Sequence, residues 1–168
     1  MVDDESEDKF QILNSKFQIS VIPNIRKSNS PKKDAIETAI QIAKNNWIVT
    51  TDADCEVPEN WLTIFDSKIQ ETNAKMCVGS VTYTKESGFL HDFQNNDFLS
   101  LQGVTAGSFG IGKPFMCNGA NFAYEKTFFK TLNGFEGNNN LASGDDVFLL
   151  QKALKLAPDK IAYLGNLN

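Results

Sequence analysis

Two aspartate pairs occupy positions where carboxylates can do chemistry. Asp52 and Asp54 directly follow the apolar segment WIVTT, and Asp145 and Asp146 open a segment with a helical pattern. Carboxylates in a turn at a strand end can hold Mg²⁺ or Mn²⁺, with phosphate oxygens filling the remaining positions. A carboxylate at a helix start can act as a general base. These spacings indicate metal-assisted chemistry on a phosphorylated substrate.

Each pair also has a purely structural interpretation. Aspartate is favoured in a strand-to-helix turn because its side chain caps nearby backbone donors. Acids are favoured in the first turn of a helix by the helix dipole. The dipole lowers the pKa of a carboxylate there, whereas a neighbouring carboxylate raises it. The residues alone therefore leave open whether Asp145 or Asp146 is a base.

Two further segments carry polar groups suited to a ligand. In CNGAN, Gly119 permits close backbone approach, and the amides of Asn118 and Asn121 can bond sugar hydroxyls. An ordinary turn is the alternative. Lys32 and Lys33 form either a cation site near a phosphate or a solvated pair.

Strands and helices alternate along the sequence. Apolar and β-branched runs predict strands, and apolar residues at helical spacing predict helices. A glycine-rich run at 103–114 predicts a mobile loop that ends the third helix. The predicted strands are 17–22, 47–51, 76–84 and 161–164. The predicted helices run from about residue 31 to 46, 58 to 73, 89 to 101, 125 to 132 and 145 to 156.

This alternation predicts an α/β fold with a mostly parallel sheet covered by helices on both faces. In such sheets ligands bind beyond the carboxyl ends of the strands, where Asp52 and Asp54 fall. If Met1 and Val2 end a strand, the acids that follow lie at the same edge. The alternative is a solvated acidic tail.

Composition narrows the class of protein. The 168 residues suit one domain, and the net charge of −5 matches the five acids among residues 3–8. The remainder is balanced, with no basic stripe for nucleic acid. The three cysteines form no C-x-x-C spacing, which suits a reducing compartment. No apolar run is long enough to span a bilayer and no signal peptide is evident, so we expect a soluble, cytoplasmic chain.

Six strings, read in order, resemble glycosyltransferase family 2 with the GT-A fold: VDDESED, SPKKDAI, TTDADC, NGANFAY, GFEG and SGDD. TTDADC is similar to the D-x-D segment of that family, NGANFAY to its G-A-N segment, and SGDD to the segment that supplies the base. The resemblance implies an inverting transfer of sugar from a nucleotide-diphosphate sugar, most commonly UDP, to a hydroxyl of a saccharide or lipid-linked acceptor. Synthesis of a cell-envelope polysaccharide is the implied setting.

The resemblance also implies roles for individual residues. Asp54 is the expected metal ligand, assisted by Asp52, for Mn²⁺ or Mg²⁺. Asp146 is the expected base, with Asp145 as the alternative. The residues expected near the nucleotide are Asp3, Asp4, Ser6, Lys33 and Asp52, and those expected near the donor sugar or acceptor are Asn118, Gly119, Ala120 and Asn121.

Measured against the family pattern, the chain reads as a shortened catalytic core. The first strand and helix of the family, and the membrane helices that follow in many relatives, have no counterpart in these 168 residues. We therefore expect a parent protein associated with the cytoplasmic face of a membrane, and strand edges that favour a homo-oligomer. Two rival hypotheses are a haloacid-dehalogenase-like phosphatase and a non-catalytic nucleotide-sugar-binding module.

Overall fold

The computed structural model describes residues 2–3, 20–84, 87–138 and 143–165. Asp4 and Ser6 lie outside the described residues, and Asp3 is described only as part of a strand. The strands are β1 (Val2–Asp3), β2 (Ile22–Pro23), β3 (Trp47–Thr50), β4 (Met76–Gly79), β5 (Phe122–Glu125) and β6 (Ile161–Leu164). The helices are α1 (Pro31–Ile42), α2 (Trp61–Thr72), α3 (Phe89–Gly110), α4 (Lys126–Thr131) and α5 (Asp145–Leu156), with short 3₁₀ turns at Gly119–Asn121 and Pro158–Lys160.

The larger sheet has the order β3-β5-β4-β6. β4 and β6 are parallel, whereas β5 runs antiparallel to both β3 and β4. The α/β class is confirmed, and the sheet is mixed because β5 reverses direction between its two neighbours. This reversal brings the start of β5 beside the end of β3, since Thr50 pairs with Phe122.

Helices cover both faces of this sheet, as predicted. On β4, Met76 and Val78 face a core that includes Leu150 of α5, and Cys77 faces a second core that includes Phe65 of α2. Successive side chains of a strand point to opposite faces, so one buried strand contributes to both cores. All four residues of β4 are buried.

A second, two-stranded sheet contains the N-terminal segment. β1 and β2 are parallel, with Val2 opposite Ile22 and Asp3 opposite Pro23. The predicted end of a strand at the N-terminus is therefore present as β1. Of the strand predicted at 17–22, Ile22 lies in β2, which extends to Pro23; residues 20–21 are irregular, and 17–19 are outside the described residues.

The helix predicted to end near residue 101 continues to Gly110, so the prediction of a loop starting at residue 103 was wrong. A Cβ at Gly103, Gly107 or Gly110 would meet no atom within 4 Å, which shows that these glycines lie on the open side of α3. The inward side is held by the buried residues Thr105 and Ser108. Each glycine costs a helix about 1 kcal/mol, and packing of the inward side offsets that cost. No helix within the described residues has the length and apolarity needed to cross a bilayer.

Leu150 provides a test of this core. Its side chain is fully buried between α5 and the sheet. We expect Leu150→Ala to lower the free energy of unfolding by about 2–5 kcal/mol because it leaves a cavity. The control Leu156→Ala, at a position 56% exposed on the same helix, should cost less than about 1 kcal/mol. Urea unfolding measures both, and equal losses would contradict this packing.

Candidate functional site

The start of α1 is fixed by a buried carboxylate. Asp34 is 3% exposed, and its Oδ2 accepts hydrogen bonds from the backbone N–H groups of Lys27 (2.8 Å) and Ser28 (2.9 Å). These bonds hold the loop before α1 against the first turn of the helix. The first turn consequently presents Lys32 and Lys33 in fixed and different directions, because adjacent helical residues point about 100° apart.

The two lysines have different surroundings. Lys32 Nζ lies 3.0 Å from Asp52 Oδ1, and both side chains are about half exposed. Lys33 is only 2% exposed, and its Nζ donates a hydrogen bond of 2.7 Å to the carbonyl oxygen of Asn138. Lys33 was the lysine expected near the nucleotide, but the lysine that reaches the aspartates is Lys32.

The predicted metal-binding segment forms a tight turn directly after β3. The backbone N–H of Cys55 donates to the carbonyl oxygen of Asp52 at 3.2 Å, which closes the turn. Asp54 is exposed and Asp52 is partly exposed. The turn therefore presents both carboxylates at the end of β3.

Gly119 joins the end of β3 to the start of α5. Its N–H donates to Asp146 Oδ2 at 2.7 Å, and its carbonyl oxygen accepts from the hydroxyl of Thr50 at 2.6 Å. Asp146 Oδ1 also accepts from the N–H of Val147 at 2.7 Å. A Cβ at residue 119 would lie 3.4 Å from Asp146 Oδ2, at the limit of ordinary van der Waals contact. Asp146 is therefore packed closely against the backbone of Gly119.

Asp145 and Asp146 differ in exposure. Asp145 is 6% exposed, whereas Asp146 is partly exposed. Burial raises the pKa of Asp145, the nearby Lys32 opposes that rise, and the charge of Asp146 adds to it. Of the two carboxylates, Asp146 is the one that a ligand can reach more easily.

The segment after Gly119 is held by asparagine side chains. Asn118 Oδ1 accepts from the N–H of Ala120 at 2.9 Å. Asn121 accepts from the indole N–H of Trp61 at 2.9 Å and donates to the carbonyl oxygen of Ser80 at 2.7 Å. A Cβ at Gly79 would overlap the Asn121 side chain, so only glycine leaves room for this arrangement. Asn121 thus connects α2, the end of β4 and the start of β5.

Two neighbouring cavities contain these residues. Cavity 1, of about 640 Å³, has Lys32, Asp52, Gly119, Asp145 and Asp146 among its lining residues and an apolar floor that includes Val2 and Ile48. Cavity 2, of about 420 Å³, is lined in part by Asp54, Ala120 and Asn121. Thr51 lines both cavities. The structure therefore brings the aspartates of residues 52, 145 and 146 together and places Asp54 on the adjoining side of the turn.

The two carboxylates at the end of β3 are candidate ligands for a metal ion that arrives with a phosphorylated substrate, with Asp52 in the lining of cavity 1 and Asp54 in that of cavity 2. Within the described part of the chain, no three His, Cys, Asp or Glu side chains group closely enough to hold a metal on their own. Mg²⁺ is usually held by one or two protein carboxylates together with phosphate oxygens and water. Asp52 and Asp54 can supply that number of carboxylates from one turn.

The buried carboxylate of Asp145 gives a pH-dependent prediction. Because burial raises its pKa in the folded protein, the folded state binds more protons than the unfolded state at and just above the usual aspartate pKa of about 4. The free energy of unfolding should therefore fall as pH rises through that range toward neutrality. Asp145→Asn should remove this contribution and favour stability at neutral pH, as measured by urea unfolding across pH. Asp159→Asn, at a side chain 74% exposed, is the control, and identical pH profiles for Asp145→Asn and the wild type would contradict the assignment.

Comparisons with known proteins agree with this geometry. No curated protein matches the chain. A family model described as "Glycosyl transferase family 2" matches residues 1–133, a range that includes the turn after β3 and the Gly119–Asn121 segment. This family implies the GT-A fold, a nucleotide-sugar donor and an acceptor, and the α/β architecture agrees with it. The chain belongs to glycosyltransferase family 2.

Proposed function

We propose that the protein transfers a sugar, with inversion, from a nucleotide-diphosphate sugar to an acceptor hydroxyl with the help of Mg²⁺ or Mn²⁺. The observation that supports this most directly is that Lys32, Asp52 and Asp146 line one cavity although they come from α1, the turn after β3 and α5. UDP is the proposed nucleotide, and the acceptor is a saccharide or a lipid-linked saccharide. The cytoplasm, at a membrane surface, is the proposed location.

In this proposal the diphosphate lies between Lys32 and the turn after β3. Asp52 and Asp54 would hold the divalent ion, which would neutralise the charge that develops on the departing nucleoside diphosphate. Lys32 exchanges its contact with Asp52 for a phosphate oxygen, and an ammonium group suits that exchange as a compact charge on a flexible stem. Asp3, Asp4 and Ser6 are proposed to contact the nucleoside, and this part rests on the family resemblance.

Asp146 is the proposed general base. It takes the proton of the acceptor hydroxyl while that oxygen forms a bond to the anomeric carbon and the bond to the diphosphate oxygen breaks. One direct displacement inverts the anomeric centre, so no covalent intermediate on the enzyme is needed. The N–H groups of Gly119 and Val147 hold the carboxylate and leave lone pairs for the acceptor. Asp145 is too buried to make this contact as readily.

The Gly119–Asn121 segment is proposed to contact the donor sugar or the acceptor. Gly119 permits close backbone approach, and the segment borders both cavities. Family membership gives no support to the rival phosphatase hypothesis. The hypothesis of a non-catalytic binding module differs only in turnover, and a donor-hydrolysis assay distinguishes it.

Asp54→Ala tests the metal site. We expect it to weaken metal-dependent binding of UDP by about 10–100-fold or more, since a carboxylate ligand is lost. Titration calorimetry with UDP in the presence and absence of Mn²⁺ measures the effect. Asp97→Ala removes an exposed carboxylate from α3 and should bind as the wild type does. Undiminished binding by Asp54→Ala would exclude Asp54 as a ligand.

Asp146→Asn tests the base. Nucleotide binding should be retained, and sugar transfer by the intact protein should fall by about 10²–10⁴-fold, the usual contribution of a general base. The matched variant Asp145→Asn should keep most of the activity. Transfer is followed with labelled donor, and a severe loss in Asp145→Asn with activity retained in Asp146→Asn would reverse the assignment.

A further inference from the structure

Cavity 2 contains groups that the proposed transfer has not yet used. It lies on the far side of the Asp52–Cys55 turn from the proposed diphosphate site and shares Thr51 with cavity 1. Its volume of about 420 Å³ falls in the range of roughly 300–1,000 Å³ that small-molecule sites occupy. A second substrate bound here would lie next to the first, and Ala120 in its wall directly follows Gly119, whose N–H binds the proposed base Asp146.

One wall of cavity 2 presents a braced aromatic ring. Tyr83 is 51% exposed, yet its ring contacts that of Phe98, with centroids 4.9 Å apart. His91 lies against Tyr83 edge-on, with ring centroids 6.3 Å apart. The segment before Tyr83 is also fixed, because the N–H of Val81 donates to Gln102 Oε1 of α3 at 3.2 Å. The ring is thus held in place by two aromatic neighbours and is half exposed, which suits an apolar contact such as that with the C–H face of a sugar ring.

Trp61 also lines cavity 2, and the orientation of its ring is fixed. Its indole N–H donates a hydrogen bond of 2.9 Å to Asn121 Oδ1, and its ring contacts that of Phe65 edge-on, with centroids 5.8 Å apart. Both ends of the Asn121 side chain are therefore engaged within the protein. Trp61 and Asn121 therefore shape the cavity. Hydrogen bonds to a ligand would be made by the carboxylates and hydroxyl groups of the other lining residues.

The charge of the lining is one-sided. Asp54 and Glu56 are the only charged residues that line cavity 2 among those described, and both are acidic. Asp54 is assigned to the metal ion in the proposed function, which leaves the charge of Glu56 facing a second ligand. A carboxylate accepts hydrogen bonds from hydroxyl groups and repels an anion when no cation lies between them.

We infer that cavity 2 receives the acceptor as an uncharged saccharide, with a ring on Tyr83 and hydroxyls toward Glu56, and that it disfavours uronic-acid and phosphate-bearing rings. The inference rests on the proposed function in two respects: it calls the ligand the acceptor, and it assigns Asp54 to the metal ion. The sugar preference itself derives from the lining of the cavity. It narrows the substrate class from saccharides in general to neutral ones.

Matched sugar probes test the inference without knowledge of the natural acceptor. Methyl glycosides of glucose, galactose, mannose and N-acetylglucosamine are titrated by ligand-observed NMR in the presence of saturating UDP and Mn²⁺. Methyl glucuronide and methyl galacturonide differ from two of these only by a carboxylate. At least one neutral glycoside should bind, and its uronide counterpart should bind about three- to tenfold more weakly.

Two variants assign the effect to the cavity. Tyr83→Ala should abolish binding of the neutral glycoside with UDP binding unchanged, and Phe89→Ala, at a ring 88% exposed and outside the lining of cavity 2, should leave both intact. Glu56→Gln keeps the shape of the side chain and should reduce the discrimination against the uronide to about twofold or less.

The outcomes separate this inference from the proposed function. Failure of every neutral glycoside to bind, equal binding of the uronide, displacement of the glycoside by UDP, or an unchanged Tyr83→Ala variant would each overturn the inference. Glycoside binding that depends on Tyr83 in a protein that shows no transfer would support the subsite and count against the proposed function.

Discussion

The backbone of Gly119 determines the geometry of the site. Its N–H binds Asp146 and its carbonyl oxygen binds Thr50, so a single residue couples the first turn of α5 to the last residue of β3. This is possible because β5 runs antiparallel between β3 and β4, which returns the chain to the end of β3 at the point where the turn of Asp52 and Asp54 begins. The position of the proposed base relative to the end of β3 is therefore set by hydrogen bonds from the Gly119 backbone to two short side chains, those of Asp146 and Thr50.

Asn121 connects secondary-structure elements around cavity 2, as Gly119 does around cavity 1. By accepting from Trp61 and donating to Ser80 it joins α2 to the end of β4, and the space it needs exists because residue 79 has no side chain. The two cavities thus have a common wall made of the segment 119–121. An alteration of this wall would affect both the donor side and the acceptor side of the proposed reaction.

The sequence alone could predict helices and strands with strong periodicity. It could not predict the direction of a strand in the sheet or the direction in which a lysine side chain points. The apolar spacing of α5 and the run WIVTT gave correct boundaries within a residue. The antiparallel course of β5 depends on tertiary pairing, which leaves no local signal, so a mostly parallel sheet was expected. Ile36 lies at i+4 from Lys32 and at i+3 from Lys33, so both lysines are in phase with an apolar residue of α1. Only the hydrogen bond of Lys33 to the carbonyl oxygen of Asn138 distinguishes them. The glycines within α3 predicted a loop because glycine is unfavourable in a helix. The composition does not show that these glycines lie on the open side of α3, where they need no packing partner.

The three cysteines differ in a way that makes the site accessible to chemical labelling. Cys77 is fully buried, and burial raises the pKa of its thiol to about 11. Burial, together with the charges of Asp146 and Asp145, also raises the pKa of Cys117. Since the thiolate is the reactive form, both side chains resist alkylation near neutral pH. Cys55 closes the turn of Asp52 and Asp54 and lines cavity 2. A thiol-directed fluorophore would therefore attach selectively beside the proposed metal ligands and act as an optical reporter of occupancy without any engineered residue.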